Sequence, residues 1–198
     1  MSLLKENISF VVVCYKSSAA LKSLLISIPK ELEVVLVDNS NDKETSEIAN
    51  SYDCTLIQNQ ENIGYGAACN LGAEKASGTY LLFINPDSEL KPETLNELIK
   101  AADNYPSASA FNPKIIGRSG KQSFKRRSVL LQKSEWMSRK FPESDKEVTV
   151  LSGAAIFIKK ENFTKINGFD EKIFLYHEDD DISIRLKEEI GPLMYIHN

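Results

Sequence analysis

The sequence is poor in cysteine and has no long hydrophobic run, and both absences limit what the chain can be. Its three cysteines form no CxxC pair, which argues against a disulfide framework or a zinc site and is typical of a reducing compartment. It contains neither an 18-residue apolar run nor a signal-peptide pattern, so we expect no membrane-spanning helix and no export. The sequence therefore predicts a cytoplasmic protein, and 198 residues fit one domain.

One segment of this acidic chain is short of acids. Residues 114–140, which we call the basic segment, contain nine lysines and arginines against one acid, Glu135, although the whole chain has a net charge of −4. Such a segment either meets an anionic partner, such as a phosphate or a lipid headgroup, or forms a solvated surface loop. The sequence leaves both open. Nucleic-acid binding is disfavoured because the segment has few aromatic residues.

Apolar runs of strand length alternate with helical patterns through the first half of the chain. This alternation predicts a mainly parallel sheet with helices on both faces. The second half is less regular but contains three more apolar runs. Strands are predicted at residues 8–13, 33–37, 54–57, 80–84, 108–111, 154–158 and 193–196. Helices are predicted at residues 21–28, 43–51 and 65–76, and from Pro92 onward.

Polar groups follow several of these strands, where right-handed crossovers place functional loops. Asp38 can accept hydrogen bonds from a nucleotide base or ribose, or it can cap a turn or helix. Residues 62–66 open a helix and suit either an anion or an ordinary tight turn, but they lack the third glycine of a dinucleotide fingerprint. Asp87, after Asn85 and a proline, can bind a divalent cation or cap the next helix.

Four acids stand in succession at residues 178–181, directly after Phe174, Leu175 and Tyr176, large side chains that are expected to be buried. The acids could simply begin a helix, because carboxylates interact well with the positive end of the helix dipole. Alternatively, one of them takes part in catalysis against that apolar cluster. The pattern by itself does not separate these two interpretations.

Six motifs together carry a family resemblance. They are residues 11–15, 35–39, 62–72, 80–87, 152–155, and 168–171 continued by 174–179. In this order they resemble the family 2 glycosyltransferases of the GT-A fold, most closely the rhamnosyltransferase-like branch, over nearly the whole chain. The resemblance implies an α/β protein, a Rossmann-like three-layer α/β/α sandwich with a mainly parallel mixed central sheet.

The resemblance also implies an activity, the inverting transfer of a sugar from a nucleotide-diphosphate donor to an acceptor hydroxyl. The donor would be dTDP-rhamnose or a UDP-sugar, and the product would belong to a cell-surface polysaccharide. Asp179 would be the general base beside Glu178, and Gly153 would let the donor sugar and acceptor approach the backbone. Asp87 would bind Mn²⁺ or Mg²⁺. The nucleotide would be held by Tyr15, Asp38, Asn62, Gly64, Asn70 and Asn85.

The expected domain covers residues 1–198, with a nucleotide-binding half at about 1–90 and an acceptor-binding and catalytic half at about 91–198. Family members usually continue further and often place a histidine metal ligand after the last strand. His197 comes too early for that role, so we expect a solvent-exposed terminal residue. Either the metal shell is completed in another way or the chain is truncated at its C-terminus.

The partners are expected to be a nucleotide-sugar donor and a carbohydrate or lipid-linked acceptor, without nucleic acid. The basic segment would lie near the acceptor and could bring the protein to the inner face of an anionic membrane as a peripheral protein. The alternative function is a nucleotide-binding module, or an inactive fragment, that binds a nucleotide without turnover.

Overall fold

The computed structural model describes residues 7–197, so residues 1–6 and 198 of the predicted domain lie outside it. The described chain is organised around an eight-stranded sheet with the order β3-β2-β1-β4-β9-β5-β10-β8, and β6 and β7 form a separate hairpin. The strands are β1 (Ile8–Cys14), β2 (Glu33–Asp38), β3 (Thr55–Gln58), β4 (Tyr80–Ile84), β5 (Ala110–Pro113), β6 (Ile115–Ile116), β7 (Gln122–Ser123), β8 (Lys146–Val148), β9 (Ala155–Lys159) and β10 (Leu193–Ile196).

The sheet is mixed and mainly parallel, as the sequence predicts. β1 pairs in parallel with β2 and β4, β2 with β3, and β5 with β10. β9 runs antiparallel between β4 and β5, and β8 is antiparallel to β10. All seven residues of β1 are buried, because helices cover both faces of the sheet. A continuous apolar run, without alternation, is typical of such a strand.

Helices pack on both faces and complete the three α/β/α layers. They are α1 (Ser18–Ser27), α2 (Lys43–Ser51), α3 (Tyr65–Lys75), α4 (Thr94–Asn104), α5 (Lys160–Lys165) and α6 (Glu178–Glu189). Leu24 and Leu98 belong to the core on the face of α1, α2 and α4. Ala68 and Leu186 belong to the core on the face of α3, α5 and α6. Within residues 7–197, every helix is too short or too polar to cross a bilayer.

The predicted strands and helices are all present, with ends that differ by a few residues. α4 begins at Thr94 instead of at Pro92, because the Thr94 N–H first closes a turn onto the carbonyl of Lys91 at 3.0 Å. The sequence analysis does not anticipate β6, β7, β8 or α5. These elements are only two to six residues long, too short for a hydrophobic period to be visible.

The topology collects several chain segments at one edge of the sheet, which we call the carboxyl edge. β1, β2, β3, β4, β5 and β10 share a direction and all end there. β9 runs the opposite way, so the turn that precedes it also lies at this edge. α6 leads back to the start of β10, so the first turn of α6 lies there too. The edge therefore brings together residues from both halves of the chain.

Candidate active site

Asp179 lies where the turn before β9 meets the start of α6. Its Oδ2 atom accepts a hydrogen bond from the backbone N–H of Gly153 at 2.9 Å, and its Oδ1 atom accepts one from the N–H of Asp180 at 3.0 Å. A Cβ atom at position 153 would stand only 3.2 Å from the Cβ of Asp179. Glycine therefore permits close approach to the backbone here, and in the structure the approaching group is the carboxylate of Asp179.

The turn before β9 is held by Asn112, at the end of β5. The Nδ2 of Asn112 donates to the carbonyl oxygen of Ser152 at 3.1 Å and to that of Ala155, and its Oδ1 accepts the Ser152 N–H at 2.5 Å. The hydroxyl of Ser183 in α6 accepts the Leu151 N–H at 2.9 Å. Asn112 is missing from the predicted site residues. An amide at the end of a buried apolar strand is the signal that could have found it, because such a group needs partners.

Lys125 brings the basic segment to the acids of α6. Its Nζ is 2.6 Å from Oδ2 of Asp179 and 2.8 Å from Oδ1 of Asp180, and its side chain is 23% exposed. His177 Nδ1 is 2.9 Å from Oδ2 of Asp180. Burial acts to raise the pKa of Asp180, but the His177 and Lys125 contacts outweigh it and hold that pKa below its ordinary value. Lys125 of the basic segment is thus the counter-ion of two acids within the chain. The sequence analysis does not predict this pairing.

Glu178 is a buried acid without a counter-ion in direct contact. The residue is 8% exposed, and its Oε2 atom has no hydrogen-bond partner within residues 7–197. Burial raises the pKa of Glu178, and the charge of Asp179 raises it further. The charge of Glu178 in turn contributes to raising the pKa values of Tyr65 and Cys69, after the larger effect of their burial. Glu178 therefore faces α3.

The expectation of a buried apolar cluster before the acids is wrong. Phe174, Leu175 and Tyr176 are each more than half exposed. Tyr176 and His177 both have positive φ angles, 66° and 70°, a left-handed conformation that turns the chain sharply into α6 and leaves these side chains outside. The acids begin the helix, as one interpretation holds, and the other, that one of them takes part in catalysis, stays a prediction.

A cavity of about 560 Å³ opens beside these acids. Its walls are formed by Lys125, Arg127, Val129, Trp136, Tyr176 and the acids at 178–180. The guanidinium of Arg127 lies 5.6 Å from the centre of the Trp136 ring, a cation–π arrangement. The cavity thus combines carboxylates with cationic and aromatic side chains, which suits a polar ligand larger than a single sugar.

The predicted nucleotide side contains a network of asparagines. Asn39 Nδ2 donates to Asn62 Oδ1 at 3.2 Å and to the carbonyl of Gly64 at 3.0 Å. Asn59 Nδ2 donates to Asn39 Oδ1 at 2.7 Å, and the Gly64 N–H donates to Asn62 Oδ1 at 3.0 Å. The structure thus brings Asn62 and Gly64 together in the turn that opens α3. Asn39 and Asn59 are further members that the sequence analysis does not name as site residues.

Asp38 and Asn70 both form hydrogen bonds within the chain. Asp38 is completely buried, and its carboxylate accepts bonds from the N–H groups of Ser40 at 2.8 Å and Asp42 at 2.6 Å. These are the contacts of the turn-forming alternative, and the contact of Asp38 with a nucleotide stays a prediction. Both amide atoms of Asn70 bond to the backbone of Phe169, each at 2.9 Å. Asn70 therefore fastens the segment that leads to the acids, and its contact with a nucleotide stays a prediction.

Tyr15 and Asn85 remain near the carboxyl edge as predicted. Tyr15 follows β1 and is 51% exposed. Asn85 follows β4, its N–H donates to the carbonyl of Ala154 at 3.1 Å, and the Tyr65 hydroxyl is 3.5 Å from its Oδ1. Burial raises the pKa of Tyr65, and the nearby charges of Glu178 and Asp179 contribute. Tyr65 therefore stands between the predicted nucleotide side and the acids.

The candidate metal ligands are few. Asp87 is exposed, and its Oδ2 is 3.7 Å from Arg118 Nη2. Residues 7–197 contain no group of three or more His, Cys, Asp or Glu side chains that could hold a metal ion. A hard divalent cation often takes one or two carboxylates together with substrate phosphates and water, and the accessible carboxylate of Asp87 fits that arrangement.

His197 differs from its predicted environment. It is half-buried, its N–H donates to Asp145 Oδ1 at 2.9 Å, and its Nδ1 is buried without a hydrogen-bond partner in the described part of the chain. The expectation of a solvent-exposed terminal histidine is therefore wrong. β10 carries His197 to the carboxyl edge, where Asp145 fixes its backbone.

Curated proteins with related sequences are glycosyltransferases. The low-salt glycan biosynthesis hexosyltransferase Agl10 of Haloferax volcanii is 28% identical over 196 residues, which covers 93% of this chain and 62% of the relative. The N-acetylglucosaminyl-diphospho-decaprenol L-rhamnosyltransferase of Mycobacterium tuberculosis is 27% identical over 197 residues, 84% of this chain and 64% of the relative. The chain thus spans a little over three-fifths of the length of these two relatives.

Solved structures that resemble this chain identify its fold. The S. aureus TarS 1–349 complex with UDP-GlcNAc matches with a TM-score of 0.72 and 24% identity over 97% of this chain and 58% of that one. GalNAc-T7 with UDP, GalNAc and Mn²⁺ matches with a TM-score of 0.75 and 17% identity over 99% and 43%. The fold is GT-A. Because the family model described as glycosyl transferase family 2 matches residues 9–166, most of the chain, this protein belongs to glycosyl transferase family 2.

Proposed function

We propose that this chain transfers a sugar, with inversion at the anomeric carbon, from dTDP-rhamnose or a UDP-sugar to an acceptor hydroxyl in cell-surface polysaccharide synthesis. The observation that carries the proposal is the carboxylate of Asp179, held by two backbone N–H groups in the wall of a cavity. The relatives support it, because one is named a hexosyltransferase and another an L-rhamnosyltransferase.

In the proposed reaction, Asp179 accepts the proton of the acceptor hydroxyl while the oxygen of that hydroxyl bonds to the anomeric carbon. The bond from that carbon to the donor diphosphate breaks, and its electron pair leaves with the diphosphate, through an oxocarbenium-like transition state. Gly153 and the Asp180 N–H hold the carboxylate in one orientation, so little reorganisation is needed. General-base catalysis of this kind is typically worth ~10²–10⁴ in rate.

A divalent cation, Mn²⁺ or Mg²⁺, is part of the proposal. Support comes from the related structures of GalNAc-T7 and of the mannosyltransferase PcManGT from Pyrobaculum calidifontis, both of which contain Mn²⁺. Asp87 is the residue that we expect to hold the cation. When bound, a cation at this position neutralises the negative charge that grows on the leaving diphosphate. Arg118 would give up its distant contact with Asp87.

The proposed acceptor is a carbohydrate or a lipid-linked sugar. The basic segment forms part of the cavity beside Asp179 and carries exposed apolar side chains, Val129 and Leu130. Basic residues next to apolar ones can bring a protein to an anionic membrane surface, so we propose a peripheral location at the inner face of the membrane. Cosedimentation that is equal with anionic and with neutral vesicles would remove this part of the proposal.

The first test replaces the base. Asp179→Asn preserves the size of the side chain but cannot take up the proton, so sugar transfer or donor hydrolysis should fall ~10²–10⁴-fold. Binding of UDP or dTDP, measured by calorimetry, should change little. The matched control is Glu188→Gln, an exposed acid at the far end of the same helix, which should leave turnover unchanged. Turnover that survives in Asp179→Asn would show that another group is the base.

The second test concerns the cation. Calorimetric titration of UDP and dTDP, each with and without Mn²⁺, should show binding that depends on the metal and on whether the nucleotide carries uracil or thymine. Asp87→Ala should remove the metal dependence, whereas Glu89→Ala, an exposed acid two residues further on, should keep it. Nucleotide binding without metal dependence and without turnover would favour the second candidate, a nucleotide-binding module. The small set of metal-ligating side chains in the described chain is the observation in favour of that candidate.

A further inference from the structure

Lys125 makes a contact that interferes with the proposed role of Asp179. An ionised carboxylate offers about four acceptor positions, and three of those on Asp179 are taken by Gly153, Asp180 and Lys125. The first two donors are backbone groups and belong to the framework of the site. Lys125 is a side chain that lines the cavity. The acceptor hydroxyl approaches Asp179 from this cavity, so it competes with the ammonium group for the two acceptor positions that the backbone donors leave open.

An anion in the cavity would resolve this competition. Lys125 and Arg127 both line it, and Arg127 is exposed and engaged only with the face of Trp136 in the contacts described. A phosphate oxygen is a strong acceptor for a lysine and an arginine together. If Lys125 turned toward such an anion, Oδ2 of Asp179 would recover one acceptor position. Asp180 would still have the contact with His177.

Glu178 gives independent support for a ligand in the same cavity. The residue is one of those that line the cavity, is more than nine-tenths buried, and has an Oε2 atom without a hydrogen-bond partner in the described residues. Buried polar atoms of this kind are rare and cost free energy. A hydroxyl group of a ligand seated beside Asp179 would supply the missing donor. The cavity thus offers a site for a hydroxyl-bearing group next to a site for an anion.

We propose that Lys125 and Arg127 bind a phosphate or diphosphate group of the acceptor, and that Lys125 leaves Asp179 for this group when the acceptor binds. The proposal rests on the proposed function, in which Asp179 is the base. It makes the two residues determinants of acceptor specificity, because a neutral acceptor would leave Lys125 on the base. The anion belongs to the acceptor and not to the donor, because in an inverting displacement the base and the leaving diphosphate stand on opposite sides of the anomeric carbon.

Trp136 provides a direct readout, because it is the one tryptophan of the chain and it lines the cavity. The test titrates inorganic pyrophosphate in a buffer with EDTA and follows the fluorescence of Trp136. EDTA removes any cation that would draw pyrophosphate to Asp87. We expect a saturable change in the wild type. We expect Lys125→Met and Arg127→Met each to weaken the binding by roughly tenfold or more, as for a hydrogen bond between charged groups.

The control is Lys140→Met, which removes the same charge from the exposed end of the basic segment, outside the cavity, and should change the binding less than about twofold. Arg127→Met guards against misfolding of Lys125→Met, since Arg127 is exposed. The proposal is overturned if the wild type shows no saturable change, or if both cavity variants bind as Lys140→Met does.

A second arm separates the two sources of a diphosphate. The titration is repeated with saturating UDP, and an unchanged pyrophosphate response places the anion on the acceptor side. Abolition of the response by UDP would assign the anion to the donor and overturn the proposal. If the wild type transfers a sugar and Lys125→Met binds pyrophosphate as the wild type does, this inference alone is overturned. Pyrophosphate binding lost in that variant, without turnover of any nucleotide sugar by the wild type, would overturn the proposed function alone.

Discussion

Two groups of residues at the carboxyl edge are held together by different interactions. One is the asparagines of the predicted nucleotide side. The other is the acids at 178–180 with Lys125, which we call the base side because Asp179 is the proposed general base. Asn39, Asn59 and Asn62 bond to one another and to the turn at Gly64 through neutral amides. On the base side, Lys125 is shared by two carboxylates, while the buried atom Oε2 of Glu178 has no partner in the described chain. The nucleotide side has few unused polar groups in the described residues, whereas the base side combines charged side chains with an unused acceptor.

This difference indicates how the two sides can respond to ligands. A neutral network with satisfied groups has one favourable arrangement and keeps its geometry. An ammonium group between carboxylates can exchange one anionic partner for another, because each contact is strong but none is part of the backbone framework. We therefore expect the nucleotide side to be preorganised and the base side to rearrange on acceptor binding. Four substitutions, with their controls, sharpen or break this comparison.

The largest effect is expected at the junction of the two sides. Gly64 has φ +92°, and a Cβ atom there would lie 2.7 Å from the carbonyl oxygen of Phe174, in the segment that leads to the acids. Gly64→Ala should therefore lower the free energy of unfolding by about 2–4 kcal/mol, through backbone strain and overpacking together. Urea denaturation measures this loss.

Gly120→Ala is the matched control. Gly120 also has a positive φ, +75°, but a Cβ atom there would meet nothing within 4 Å. Its cost should be that of the left-handed conformation alone, about 1–2 kcal/mol. Equal losses in the two variants would mean that the contact between Gly64 and Phe174 does not matter for stability, and that the two sides are not joined there.

The base side should depend on pH in a way that the nucleotide side does not. The contacts with His177 and Lys125 hold the pKa of Asp180 below its ordinary value. A carboxyl with a lowered pKa contributes stability above its unfolded pKa, about 4, and this contribution is lost as the pH falls through the folded value. Asp180→Asn should therefore cost about 1–3 kcal/mol at pH 7 and less at pH 3. Urea denaturation at both pH values measures the two costs.

Asn39→Ala tests the other half of the comparison. It removes neutral hydrogen bonds to Asn59, Asn62 and Gly64, so its cost should be about 1–2 kcal/mol. No titrating group takes part in these bonds, so the cost should be the same at pH 7 and pH 3. A pH dependence equal to that of Asp180→Asn would remove the distinction between the two sides.

The sequence anticipates the fold better than it anticipates the partners of the side chains. The strands are visible because most are apolar runs, and Asp179 and Asp87 are predicted as site residues because their motifs lie at strand or helix ends. The sequence leaves the partners of Asp38 open because a carboxylate after a strand has the same pattern whether it faces a ligand or closes a turn. The pairing of Lys125 with Asp179 depends on the path of the basic segment over the sheet, which no local pattern determines.

The smallest effect is expected at Glu178, and it should be a gain. Burial raises the pKa of this carboxyl above its unfolded value, so its contribution to stability is complete below the unfolded pKa and is lost as the pH rises through the folded one. Glu178→Gln has no charge to bury and should be more stable than the wild type by about 1 kcal/mol at pH 8, with no gain at pH 4. Glu189→Gln, an exposed acid at the other end of α6, should show neither change in urea denaturation. If Glu178→Gln were instead the less stable protein at pH 8, the ionised Glu178 would be stabilised by Lys125, and all the acids facing the cavity would share one counter-ion.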